Sequence, residues 1–144
     1  DVLGSRGLGD VYKRQVRYTR ADEKNVRKAD CLIIDCFGLL SSIYRYGEIA
    51  YIGGGFGVGI HNTLEAAVYG IPVIFGPKYQ KFQEAILLLE AKGAFSVKDY
   101  EELKTLLDRM LTDEVFLRES GMNASNYVTG NAGATDKIMS MINF

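Results

Sequence analysis

Short apolar runs alternate with helical patterns along most of this chain, and this alternation constrains its fold more than any other feature. Runs typical of strands occupy residues 16–19, 31–35, 49–52, 72–75 and 94–97. Apolar spacing typical of helices, or a polar connecting segment, occupies residues 22–29, 37–46, 62–69, 81–92, 99–111, 113–127 and 134–142. Strands that alternate with helices form parallel sheets, because each parallel connection needs a crossover. The sequence predicts an α/β fold, a Rossmann-like parallel sheet with helices on both faces.

The run at residues 31–35 is continuously apolar up to its final aspartate, which is typical of a strand buried on both faces. It carries one of the two cysteines, Cys31, and Cys36 follows directly. A spacing of five suits neither a redox nor a zinc motif. We therefore expect two plain buried thiols in a reducing compartment.

Bulk properties exclude two classes of partner. The formal net charge is −1, so the chain lacks the strongly basic footprint of a nucleic-acid-binding protein. No apolar run approaches the roughly 20 residues that span a bilayer. A length of 144 residues suits one domain with one core.

Residues 1–15 show neither helical nor strand periodicity. Their last six residues, Asp-Val-Tyr-Lys-Arg-Gln, look like a translated sequencing adaptor. We expect residues 1–15 to be an adaptor-derived or disordered leader, with a natural flexible leader as the alternative.

A glycine-rich loop follows the strand at residues 49–52 and precedes a helix. Its glycines are Gly53, Gly54, Gly55, Gly57 and Gly59. Backbone without side chains lets a ligand approach closely, and a helix start favours an anion, so phosphate is the natural guest. The spacing matches neither a Walker A nor a standard dinucleotide motif, and a tight structural turn is the alternative explanation.

His61, Asn62 and Glu65, which follow this loop, support the hypothesis of a nucleotide site. Asn62 suits an N-cap, and Glu65 falls one turn later, where a carboxylate can accept hydrogen bonds from ribose hydroxyls. A simple capping box would explain the same pair. His61, the only histidine, is expected to position or pack, although an acid–base role is the alternative.

Two further loops follow strand ends, where ligands bind in open α/β sheets. Gly38 and Leu39 follow the strand at residues 31–35 and would line a base pocket, unless they form an ordinary turn. Lys81 follows the strand at residues 72–75 and would meet an acidic donor sugar, unless it is simply solvated.

Taken together, residues 35–84 resemble the 3-deoxy-manno-octulosonic acid (Kdo) transferases of lipid A biosynthesis. Their motifs are most similar to those of the Bacteroidetes branch of the family. The resemblance rests on the segments at residues 35–40, 50–55, 61–67, 70–77 and 82–84. The most specific of these are His-Asn-Thr-Leu-Glu and, further on, Pro-Val-Ile-Phe-Gly-Pro.

The resemblance implies the C-terminal half of a GT-B glycosyltransferase that binds the donor CMP-Kdo. Asn62 and Glu65 match donor-site residues of the family, Gly54 and Gly55 match the loop near the phosphate, and Gly38 with Leu39 matches the loop near the base. Transfer is expected to invert the anomeric centre without metal or cofactor. The chain departs from the family where Leu39 replaces a common glutamate, where Val58-Gly59-Ile60 replaces Arg-Gly-Gly, and at Lys81.

The same resemblance implies that residues 16–144 are an incomplete nucleotide-sugar-binding domain without its first strand. We expect a gap between the strands at Val16 and Ile49, or leader residues that fill it. The other half of the enzyme would bind the lipid A precursor, supply the catalytic carboxylate and meet the membrane, at the cytoplasmic face of the bacterial inner membrane. No catalytic residue is therefore expected in this chain, which should be inactive alone.

Two alternatives remain open on sequence. One is another GT-B enzyme that uses a UDP-sugar, such as a cell-wall N-acetylglucosamine transferase or an epimerase. The other is a non-catalytic nucleotide-binding module.

Overall fold

The structure is a computed structural model that describes residues 14–133 and 139–141. The chain divides into two compact units, Asp1–Ser42 and Ile43–Phe144.

The first unit is built on a two-stranded parallel sheet, β1 (Gln15–Arg17) and β2 (Cys31–Ile33). A 3-10 turn at Tyr18–Arg20 and the short helix α1 (Glu23–Val26) connect the strands. Helix α2 (Leu40–Ile43) follows β2 and contains the boundary between the units. Strand β1 begins one residue inside the segment that we assigned to a leader.

A capping box explains why so short a helix as α1 forms. The side chain of Asp22 accepts hydrogen bonds from the N–H groups of Lys24 and Asn25, both at 2.8 Å. The side chain of Asn25 accepts one in return from the N–H of Asp22, at 2.9 Å. These bonds satisfy N–H groups that a helix start leaves without partners.

Two polar contacts tie the ends of the first sheet. The guanidinium and N–H of Arg14 donate to the Asp30 carboxylate at 3.1 to 3.3 Å. The N–H and hydroxyl of Thr19 donate to the Asp35 carboxylate at 3.0 and 2.8 Å. These two hydrogen bonds hold the pKa of Asp35 below its ordinary value.

Two expectations about the first unit are wrong. Strand β2 ends at Ile33, and all three of its residues are exposed rather than buried on both faces. Cys31 is an exposed free thiol and Cys36 is only partly buried. Burial on both faces requires helices that cover the sheet, and the described part of this unit supplies only short ones.

The second unit contains a three-stranded parallel sheet in the order β3 (Ala50–Ile52), β4 (Val73–Phe75), β5 (Ala94–Ser96). Four helices accompany it: α3 (Leu64–Ala67), α4 (Gln83–Glu90), α5 (Tyr100–Thr112) and α6 (Glu114–Asn131). The order of strands along the chain is the order in the sheet.

Both faces of this sheet are buried. Val73 and Phe75 point to one face, where residues of α3, α4 and α6 complete the larger core cluster, including Ala66, Leu88 and Ala124. Ile74 points to the other face and packs with apolar residues of α5 and the start of α6. The alternation follows from the pleat of a strand, and it confirms the predicted α/β fold with helices on both faces.

Helix boundaries agree with the sequence best where a side-chain cap exists. Asp99 accepts from the N–H of Glu102 and Asp113 from the N–H of Phe116, so α5 and α6 begin where predicted. The predicted helices at residues 37–46, 62–69 and 81–92 are shorter or interrupted. The helix predicted at residues 134–142 lies mostly outside the described residues, although residues 139–141 are helical.

The strands of the described residues form two sheets rather than a continuous one. The expected gap between the strands at Val16 and Ile49 stays a prediction. The alternative, that leader residues fill the gap, falls mainly on residues outside those described. Within the described ranges, no helix is long and apolar enough to cross a membrane.

Candidate functional site

The glycine-rich loop after β3 folds back on itself. The N–H groups of Gly57 and Gly59 both donate to the carbonyl oxygen of Gly54, at 2.8 and 3.4 Å. The N–H of His61 donates to the carbonyl oxygen of Gly53 at 3.2 Å. We expected the N–H groups of this loop to bind a phosphate. Three of them instead donate hydrogen bonds within the loop.

Close backbone contacts account for the glycines at the two predicted phosphate-loop positions. Gly54 has a φ of +91°, and a Cβ there would lie 2.2 Å from the carbonyl oxygen of Gly59. A Cβ on Gly55 would lie 2.6 Å from the Cα of Gly76, in the loop after β4. Gly55 is buried, whereas Gly54 is exposed. The structural-turn explanation therefore accounts for both glycines, and their role at a phosphate stays a prediction.

The tip of the loop keeps a backbone N–H donor, whereas Gly57 and Gly59, on either side of it, use theirs for bonds within the loop. The N–H of Val58 makes no hydrogen bond to the residues that the structure describes. The Val58 side chain is fully exposed, so this backbone lies at the surface. An anion that binds this loop would accept a hydrogen bond from Val58, because the N–H groups of Gly57 and Gly59 already donate to Gly54.

Asn62 and Glu65 lie together, although not as a capping box. The Asn62 side-chain oxygen accepts from the N–H of Leu64 at 3.0 Å, and its amide nitrogen donates to the Glu65 carboxylate at 2.9 Å. Helix α3 thus begins at Leu64, two residues later than expected. A capping box would bring Glu65 to the Asn62 backbone, whereas here Asn62 uses both side-chain atoms to fix the helix start and the carboxylate.

Glu65 does not turn into the core. It is partly buried, while the two residues that follow it, Ala66 and Ala67, are fully buried. Burial, followed by the negative charge of Glu65, raises the pKa of the half-buried Tyr44 phenol. The carboxylate is therefore oriented by the Asn62 amide at a helix start beyond the carboxyl end of β3, and its charge acts on Tyr44.

His61 is exposed, and its ring carbon Cδ2 lies 3.9 Å from the position of a Cβ on Gly53. Its backbone closes the loop through the bond to Gly53. This placement is compatible with the predicted positioning role, which stays a prediction.

Lys81 lines a cleft between the glycine loop and the loop after β4. The cleft has a volume of about 290 Å³ and is lined by Gly57, Val58, Lys78, Gln80, Lys81 and Phe82. One backbone hydrogen bond and one ring contact hold its walls together. The N–H of Lys78 donates to the carbonyl oxygen of Gly55 at 2.9 Å, and the Phe82 ring lies 2.8 Å from the position of a Cβ on Gly59.

The predicted base-pocket residues belong to the first unit. Gly38 is exposed, has a φ of +86° and has nothing within 4 Å of the position of a Cβ. The carbonyl oxygen of Leu39 accepts hydrogen bonds from the N–H and hydroxyl of Ser42, at 3.1 and 3.0 Å. These bonds form the start of α2, as in an ordinary strand-to-helix turn, so a role at a base stays a prediction.

Three residues of this region were not predicted from the sequence. Gly76 is needed for the approach of the two loops, and the Gly-Pro pair directly after a strand was its signal. Lys78 shares the cleft with Lys81, from which it is separated by only two residues. Tyr44 lies near Glu65 in the structure but 21 positions away in sequence, and no sequence signal pointed to it.

This chain is similar in sequence to several curated transferases of one kind. The 3-deoxy-D-manno-octulosonic acid transferase of Aquifex aeolicus (strain VF5) is 42% identical over 87 residues, covering 59% of this chain and 25% of the relative. That of Rickettsia bellii (strain RML369-C) is 33% identical over 116 residues, covering 78% and 28%. The chain is a relative of the 3-deoxy-D-manno-octulosonic acid transferases. The predicted resemblance is confirmed.

The match covers one segment of these transferases. The chain spans about a quarter of the length of these curated relatives. No protein-family model matches it.

A solved structure supports the fold. The C-terminal CMP-Kdo binding domain of WaaA from Acinetobacter baumannii superposes with a TM-score of 0.72, covering 83% of this chain and 63% of that chain. Sequence identity is 18%, so this likeness shows the fold and not the ligand. It confirms the predicted α/β fold.

Proposed function

We propose that this chain is the donor-binding part of a Kdo transferase and that it binds CMP-Kdo. One observation carries the proposal: the Glu65 carboxylate is fixed by Asn62 at the start of α3, directly after the glycine loop. A carboxylate at that point can accept hydrogen bonds from paired ribose hydroxyls. The relatives are Kdo transferases and the domain of similar fold binds CMP-Kdo, which indicates the nucleotide sugar that this site takes.

In this account Glu65 orients the nucleoside and does not take part in bond breaking. Asn62 donates to one carboxylate oxygen, which leaves the other oxygen and one further acceptor site for ribose hydroxyls. The donor phosphate would meet the surface of the loop near Val58, whose N–H is free within the described part of the chain. Backbone donors of this kind bind phosphate without a metal ion.

The rest of the reaction is assigned to the part of the transferase that lies outside this match. There, an acceptor hydroxyl of a lipid A precursor would attack the anomeric carbon with inversion while CMP leaves. A carboxylate of that part would take the hydroxyl proton. We place this reaction in lipopolysaccharide synthesis, at the cytoplasmic face of the inner membrane, with membrane contact made outside this chain.

The proposal is tested by titration calorimetry of the chain with CMP and with UDP. We expect CMP to bind more tightly than UDP. Tighter binding of UDP would favour a UDP-sugar enzyme, and binding of neither nucleotide would refute the donor-site assignment. Glu90, exposed near the end of α4, supplies the matched control: Glu65→Gln should weaken CMP binding and Glu90→Gln should not.

A separate assay tests the assignment of catalysis to the rest of the enzyme. The chain alone, given CMP-Kdo and a lipid A precursor, should release CMP no faster than buffer does. Transfer of Kdo by this chain would contradict the assignment.

A further inference from the structure

Two lysines face the cleft between the loops, and the cleft contains no acid. Lys78 and Lys81 contribute two positive charges, and the lining includes no aspartate or glutamate. Within the described part of the chain, neither lysine forms an ion pair. The third polar side chain, Gln80, donates its amide to the carbonyl oxygen of Pro77 at 2.8 Å, so its nitrogen is partly committed.

We propose that this cleft binds the sugar carboxylate of the donor, with Lys78 and Lys81 as the residues that select an acidic sugar. The inference rests on the proposed function and deepens it. Charge-assisted hydrogen bonds from two ammonium groups suit a carboxylate.

Size and position favour the sugar over the nucleoside. A volume of about 290 Å³ lies just below the roughly 300–1,000 Å³ of ligand pockets, enough for one sugar ring but not for a whole nucleotide sugar. Neither Asn62 nor Glu65 lines the cleft. A donor with its ribose at Glu65 therefore has its phosphate between the two places and its sugar at the lysines.

The phosphate is the other anion that these lysines could meet, and three ligands distinguish the two. They are CMP, CMP-Kdo, and a CMP-Kdo analogue whose sugar carboxylate is converted to the amide. Each is titrated against the unaltered chain, the double variant Lys78→Gln/Lys81→Gln, and a control that removes two exposed charges elsewhere, Lys28→Gln/Lys98→Gln.

We expect the unaltered chain and the control to prefer CMP-Kdo to the amide by roughly tenfold, the worth of a charge-assisted contact. The Lys78→Gln/Lys81→Gln variant should lose this preference while its affinity for CMP changes less than about twofold. An equal loss of affinity for all three ligands would assign the lysines to the phosphate and overturn the inference, and so would an unchanged preference. Good binding of CMP in either case would leave the proposed function intact, whereas binding of no ligand would overturn both.

Discussion

The two units stabilise their short parallel strands by different interactions. In the first unit, side-chain carboxylates join the ends of β1 and β2. The Asp30 carboxylate accepts from the N–H of Arg14, and the Asp35 carboxylate accepts from the N–H of Thr19. Leu32, in the middle of β2, is 43% exposed. In the second unit, the side chains of β4 are completely buried and helices cover both faces.

The difference shows where each unit obtains its stability. Exposed polar contacts contribute little, because they exchange hydrogen bonds to water for hydrogen bonds to protein. Removal of apolar surface from water contributes more, roughly 25 cal/mol per Å². The second unit therefore has the more stable structure, and the candidate donor residues Asn62, Glu65 and Lys81 all lie in it.

The largest effect is expected from a matched pair of leucine truncations. Leu88→Ala, in the core of the second unit, should lower the free energy of unfolding by about 2–5 kcal/mol, since Leu88 is fully buried. Leu32→Ala should cost less than about 1 kcal/mol, because half-exposed side chains lose little apolar burial. Urea unfolding followed by circular dichroism measures both, and equal losses would contradict the contrast between the units.

A pair of glycine substitutions should give intermediate effects. Gly55→Ala places a Cβ against the backbone of Gly76, and overpacking of this kind costs about 1–3 kcal/mol. Gly38→Ala meets open space, so only its positive φ opposes the change, at a cost of roughly 1–2 kcal/mol. Thermal unfolding of the two variants separates close packing from backbone conformation. A Gly55→Ala protein as stable as the unaltered chain would show that the loops do not need this contact.

The smallest effect concerns pH and the first unit. Because hydrogen bonds from Thr19 lower the folded-state pKa of Asp35, the stability that Asp35 contributes is present above its ordinary pKa and lost as pH falls through the lowered one. The Thr19 amide resonance should therefore shift only below about pH 4, the ordinary range of an aspartate. The Ile74 amide, in the buried β4, should stay unchanged over the same range. Titration of Asp35 at or above its ordinary pKa would contradict the hydrogen bonds from Thr19.

Much of the second unit could be predicted from its residues. The runs around Val73 and Phe95 indicated strands, and Asp99 and Asp113 marked the helix starts correctly. These signals are local, because an apolar period and a cap each lie within one element. The family resemblance rested on equally local motifs and was confirmed.

What failed depended on contacts between distant segments. The glycine loop was expected to offer its N–H groups to a ligand, whereas Gly57 and Gly59 bond to Gly54 and Gly55 packs on Gly76. Cys31 was expected to be buried but is exposed, because burial depends on covering elements that no residue near it in sequence specifies. Single-residue patterns carry no information on such partners, which is why the loop's chemistry needed the structure.

The most direct test of the account compares CMP with 2′-deoxy-CMP, which lacks one of the two ribose hydroxyls. If the Glu65 carboxylate holds the ribose, the chain should bind CMP roughly tenfold more tightly than 2′-deoxy-CMP, the worth of one hydrogen bond to a charged group. Glu65→Gln should reduce that ratio towards one. An equal affinity of the unaltered chain for the two nucleotides, or a ratio that survives Glu65→Gln, would contradict the assignment of Glu65 to the nucleotide sugar.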